Sequence, residues 1–129
     1  QFLEVINLYM LNSTDKPHIT IVDGTNHHQA LGKEIPISNE HIDFYVVNPS
    51  EKKVMVEILK DGISIYSDCM LNRTMKSYTD TVNSDANYIV NFYRESSKLD
   101  SEVIIEGITD NNYDKMPIER YSFCLTCSS

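Results

Sequence analysis

Residues 54–68 carry the pattern that most constrains this chain: Val54, Val56 and Ile58 alternate with Met55, Glu57 and Leu59, Asp61-Gly62 follows, and Ile63 and Ile65 resume alternation with Ser64 and Tyr66. Successive side chains on a strand point to opposite faces, so a period of two buries one face and leaves the other to solvent. Asp-Gly supplies the positive φ angles of a two-residue hairpin turn whose twist matches its strands. The segment reads as an antiparallel hairpin.

The same signal recurs along the chain. Ile42, Phe44 and Val46 alternate with His41, Asp43 and Tyr45, and the run stops at Asn48-Pro49-Ser50, where proline removes a ladder donor. This strand is expected to pair with 54–60. Further strands are expected at 18–22, 77–82, 88–93 and 103–108, and a last one after Pro117 with Tyr121, Phe123 and Leu125 on one face. Residues 2–11 are densely apolar and suit a strand or a short helix. Residues 24–37, with Gly24, Gly32, Pro36 and the pair His27-His28, read as a surface loop. No sustained helical stripe occurs between residues 17 and 127. The 129 residues suit one domain, and the expected fold class is an all-β antiparallel β-sandwich of about eight or nine strands, with a jelly roll or a small barrel as the alternatives. Its core is expected over about 38–108, with N-terminal and C-terminal strand extensions.

Asp85-Ala86-Asn87-Tyr88-Ile89-Val90 resembles the entry to the sixth strand of immunoglobulin-like domains, where Asp-x-Ala-x-Tyr precedes a cysteine. The resemblance implies a tyrosine corner in which the Tyr88 hydroxyl bonds back to the backbone at the preceding turn. It also implies that 41–47 is strand B, 54–60 strand C, 63–69 the next strand, 77–82 strand E, 88–93 strand F and 103–108 strand G. Val90 stands where the disulfide cysteine would be, and the chain has no Trp. Fibronectin-III-like and other cystine-free relatives are therefore the better comparison.

The formal charge of −8 comes from 19 acids against 11 bases, and the bases are scattered along the sequence. Phosphate recognition needs clustered Lys and Arg, so no nucleic-acid partner is expected. No apolar stretch is long enough to span a bilayer as a helix, and membrane insertion is not expected. The chain opens on Gln1 without an initiator Met or an apolar leader, as would follow if a signal peptide had been removed.

The cysteines are Cys69, Cys124 and Cys127. One C-x-x-C without a second pair does not make a zinc site, and at the end of a strand it lacks the setting of a redox dithiol. The expected use is a disulfide from Cys69 to Cys124 or Cys127, with the odd thiol free or pairing between molecules; three reduced thiols are the reading for an intracellular chain. Asn12-Ser13-Thr14 and Asn72-Arg73-Thr74 fit the N-glycosylation acceptor pattern at turns. Residues 110–114 start like a calcium loop, but Lys115 and Tyr121 stand where Gly and Glu are required. Adjacent histidines on a strand face opposite ways, so His27 and His28 suit a metal only in a bent loop. No nucleophile, metalloprotease or phosphate-loop motif is present, and neither an enzyme nor a cofactor is expected.

Two functional readings remain. One is an extracellular structural subunit that self-assembles into a surface filament or coat, by strand addition from the apolar segment of Phe2, Leu3, Val5, Ile6 and Leu8 or by disulfide linkage. The other is a secreted or cell-surface protein-binding module, including one that intercepts a host factor, using tyrosines such as Tyr45, Tyr66, Tyr78, Tyr93, Tyr113 and Tyr121. The unusual terminal segments favour the first. In both, the partner is a protein and the location is extracellular or the cell surface.

Overall fold

The computed structural model describes residues 16–30, 32, 34–96 and 113–127. The expected segments at 2–11 and 103–108, the Asn12 sequon and residues 110–112 lie outside the described residues.

Nine strands occur among the described residues: β1 (His18–Asp23), β2 (Asn26–Gln29), β3 (Glu34–Ile37), β4 (His41–Asn48), β5 (Val54–Lys60), β6 (Ile63–Met70), β7 (Thr74–Thr81), β8 (Ala86–Arg94) and β9 (Glu119–Cys127). They form a four-stranded sheet in the order β2-β1-β4-β7 and a five-stranded sheet in the order β3-β9-β8-β5-β6. All pairs are antiparallel except β3 with β9. The fold is the expected all-β sandwich.

The hairpin at 54–70 forms as its sequence dictates. Asp61 and Gly62 close it with φ of 50° and 85°, the two positive values that a type I′ turn needs. The expected pairing of 41–47 with 54–60 does not form. β4 pairs with β1 and β7, and β5 lies in the opposite sheet. Asn48 explains the crossing. Its buried side chain donates from Nδ2 to the carbonyls of Lys52 and Leu71 at 2.8 and 3.0 Å, and its Oδ1 accepts from the Ser50 amide and hydroxyl at 3.2 and 2.7 Å. These bonds satisfy a connection, 49–53, that arches between sheets instead of folding back as a hairpin.

Residues 24–37 also differ from the expected loop. Gly24, at φ 61°, turns the chain into β2, and β3 then lies parallel to β9 on the other sheet. Both strands are four residues long, too short for a period of two to stand out.

The core lies between the sheets. Ile21, Ile42, Phe44 and Val46 face Val56, Ile58, Tyr88, Val90, Phe92 and Leu125, all fully buried. Each such apolar side chain contributes roughly 1.5–3 kcal/mol on leaving water. Phe44, Tyr88 and Phe123 form a central cluster with ring centroids 5.3, 5.4 and 6.0 Å apart. Ile19, Ile21, Ile35, Ile37, Phe123 and Leu125 also belong to the core cluster, so β1, β3 and β9 are integral and the core reaches well outside 38–108. The place beside β8 is held by β9. Tyr88 departs from the expected corner too: its hydroxyl donates to the Asp80 carboxylate at 2.6 Å, a side chain on β7 instead of backbone at the turn.

Candidate functional site

Among the described residues the two sheets end in four edge strands, β2, β7, β3 and β6, and an edge can recruit another strand unless it is blunted. β2 and β3 are short, and β3 carries Pro36, which has no amide to donate. The long edges, β6 and β7, lie along one seam, where the carbonyls of Thr79, Thr81 and Cys69 accept from side chains of β6, β5 and β7 in turn. The Tyr66 hydroxyl donates to the Thr79 carbonyl, Lys60 Nζ to the Thr81 carbonyl at 2.9 Å, and Lys76 Nζ to the Cys69 carbonyl at 3.1 Å. Asp68 sits at the centre of the seam, accepting from Lys76 at 2.8 Å and from the Tyr78 hydroxyl at 2.7 Å. The hydrogen bond from Lys76, with those from the Tyr78 hydroxyl and the Cys69 amide, holds the Asp68 carboxyl below its ordinary range against the opposing effect of burial.

The three cysteines are free, which corrects the expected disulfide between Cys69 and Cys124 or Cys127. β5 and β8 stand between β6 and β9, so three strand spacings of about 4.8 Å separate the partners sideways. Along the strands, Cys69 is level with Met55 and Tyr93, whereas Cys124 is level with Asn87. A disulfide needs Cα atoms within about 7 Å, and that distance is far exceeded. Cys124 and Cys127 are three residues apart on β9 and point to opposite faces, so they do not bridge each other either. Burial pushes the Cys124 thiol up. Cys69 is exposed on edge strand β6, where the Tyr113 hydroxyl donates to its Sγ at 3.1 Å.

Of the tyrosines that the sequence offers as surface groups, Tyr66, Tyr78 and Tyr121 pack partly against the core, and the Tyr121 hydroxyl donates to the Pro17 carbonyl at 2.7 Å. Burial and the Glu119 carboxylate push the Tyr121 phenol up to about 12. Tyr93 stays on the outer face of the five-stranded sheet, 3.4 Å from Glu57 Oε1. Asn72 is exposed in the turn between β6 and β7. His27 and His28 lie on β2, pointing to opposite faces, and no group of three His, Cys, Asp or Glu able to hold a metal exists among the described residues. No helix among them is long and apolar enough to cross a membrane.

One end of the sandwich gathers the feature that sequence spacing hides. The start of β1, the 49–53 arch, the end of β8 and the start of β9 surround a recess of about 450 Å³. Val54 and Ile118 form its apolar floor, and Lys16, Lys52, Arg94 and Glu119 stand around it. No family model matches the chain, and no curated protein matches its sequence. The recess is therefore judged on its own chemistry. Among the described residues that line it, no nucleophile is paired with a base. It offers an apolar surface under an excess of positive charge, which suits recognition. Lys16, Lys52 and Arg94 come from distant points of the chain, and only the convergence of strand ends in the fold unites them.

Proposed function

We propose that this domain is a protein-recognition module of immunoglobulin-like topology, working outside the cell or at its surface. The observation that carries the reading is the closure of the β6/β7 seam by the domain's own side chains. With side chains bridging its long edges and its short ones only four residues long, the described part of the domain offers a partner its faces and loop ends more readily than a sheet edge. The strand order supports the immunoglobulin-like assignment: β4 takes the place of strand B, β5 of C, β6 of the strand after C, β7 of E, β8 of F and β9 of G. The exposed Asn72 sequon agrees with an extracellular setting.

Self-assembly into a filament or coat is the second reading, and one observation favours it: Cys69 is an exposed free thiol on an edge strand, placed to link two copies. Light scattering on the purified chain with and without reductant separates the two. A module gives a single species near 14.8 kDa in both conditions. Large species that disappear on reduction, or persist through it, overturn the module reading.

A further inference from the structure

The chain is strongly acidic, at −8 overall, yet among the described residues lining the recess Lys52 and Arg94, beside Lys16, stand against one carboxylate, Glu119. Lys53 and Arg73 stand at the same end and are engaged: Lys53 pairs with Glu95 at 2.9 Å, and Arg73 donates from its guanidinium to the Pro49 carbonyl at 3.3 Å. The ammonium of Lys52 and the guanidinium of Arg94 have no ion pair or hydrogen bond among the described residues. Both side chains are exposed, while Val54 beneath them is 2% exposed and Ile118 is half-buried.

An acidic protein that places two unengaged cations over an apolar floor has a local field opposite in sign to its global one. Such a field draws negative groups to the recess and discourages approach elsewhere. The volume holds one or two side chains, not an extended polymer. Arginine's planar fork matches a carboxylate bidentately, and lysine adds a second, mobile point charge. We infer that the recess binds an acidic segment of a partner protein, with one apolar side chain seated on Val54 and Ile118 and flanking Asp or Glu carboxylates held by Lys52 and Arg94. The inference rests on the protein-recognition reading and names the chemistry of the partner.

The test uses the full chain, labelled with ¹⁵N, titrated with acetyl-Glu-Leu-Asp-Glu-amide. The control peptide is acetyl-Gln-Leu-Asn-Gln-amide, and succinate is a separate arm. The acidic peptide produces saturable amide shifts confined to 50–54, 94 and 118–119, and they weaken at least about fivefold when salt is raised from 50 to about 300 mM, because screening shortens the reach of these charges. The double variant Lys52→Glu, Arg94→Glu keeps the fold, since both side chains are exposed, and loses the response by about tenfold or more.

Equal response to the neutral peptide, shifts scattered over distant lysines, or an unchanged response in the double variant overturns the inference. So does succinate binding as tightly as the peptide, which makes the recess a small-anion site. The light-scattering result is independent of this titration. A monomer that ignores the acidic peptide removes only this inference, whereas a polymer removes the module reading whatever the peptide does.

Discussion

The Tyr88 hydroxyl donates to the Asp80 carboxylate at 2.6 Å, and the Lys60 ammonium lies 2.9 Å from the same carboxylate oxygen. Tyr88 is fully buried against Phe44 and Phe123. Its ring therefore fills the core while its one polar atom is satisfied across the sheets. Burial and the Asp80 carboxylate push this phenol far above its ordinary range, so it stays a neutral donor at every accessible pH. Tyr88→Phe keeps the ring and removes the bond, and is expected to destabilise by about 1–3 kcal/mol, as losing a hydrogen bond to a charged group does. Urea denaturation with an unchanged m-value is the check; no shift in midpoint would mean that the bond contributes nothing.

Asp23 supplies a pH dependence. Burial on its own would raise this carboxyl, but the Ser38 amide at 2.7 Å, the Asn39 side chain at 2.7 Å and the Asn39 amide at 3.0 Å outweigh it and hold the group below the usual carboxylate range. A carboxyl depressed in the folded state binds fewer protons than in the unfolded chain across the intervening window. Its stabilisation is therefore complete above about pH 5 and is lost as pH falls through its ordinary value toward the depressed one. Asp68 follows the same sign with less weight, because its side chain is 41% exposed. Urea midpoints at pH 6, 4 and 3 should fall with acidification, and Asp23→Asn should flatten that fall while lowering stability near neutrality. An acid limb of the same steepness in the variant would refute the assignment.

The strands that alternate over seven or more residues, β4, β5 and β8, are legible from sequence because one face is buried and the other is wet. Which sheet a strand joins is not legible, because the alternation of β4 is the same whether Asn48 folds back or crosses over. The decisive bonds run from Asn48 to carbonyls as distant as Leu71. The recess was hidden for a similar reason. Lys52 and Arg94 are ordinary surface cations until β5 and β8 pair and bring Val54 level with Arg94. The disulfide expectation failed on the same ground, since spacing along the chain says nothing about the two strands that come to lie between β6 and β9.

Gly24 and Gly62 form a matched pair for separating backbone from packing effects. Both have positive φ, at 61° and 85°. A Cβ at Gly62 meets nothing within 4 Å, whereas one at Gly24 would sit 2.8 Å from Asn39 Nδ2, the amide that donates to Asp23. Gly62→Ala should cost about 1–2 kcal/mol from the left-handed backbone alone. Gly24→Ala should cost that and about 1–2 kcal/mol more, as the Asn39 amide is pushed off a buried carboxylate. Thermal and urea denaturation of the two variants side by side measures the difference; equal costs would show that Asn39 moves aside freely.

The seam between β6 and β7 can be opened without touching the core. Tyr66→Phe frees the Thr79 carbonyl, and Lys76→Ala frees the Cys69 carbonyl and removes the charge that pairs with Asp68. The double variant then presents two long strands with unpaired acceptors and without the lysine that discourages docking. Edges of that kind recruit other edges. The double variant should self-associate at concentrations where the parent is monomeric, with light scattering rising with time and strand content rising by circular dichroism. Adding Cys69→Ser separates strand pairing from thiol linkage, because association by edges persists in the triple variant. A double variant as monomeric as its parent would show that the seam bonds are not what keeps the edges apart from their neighbours.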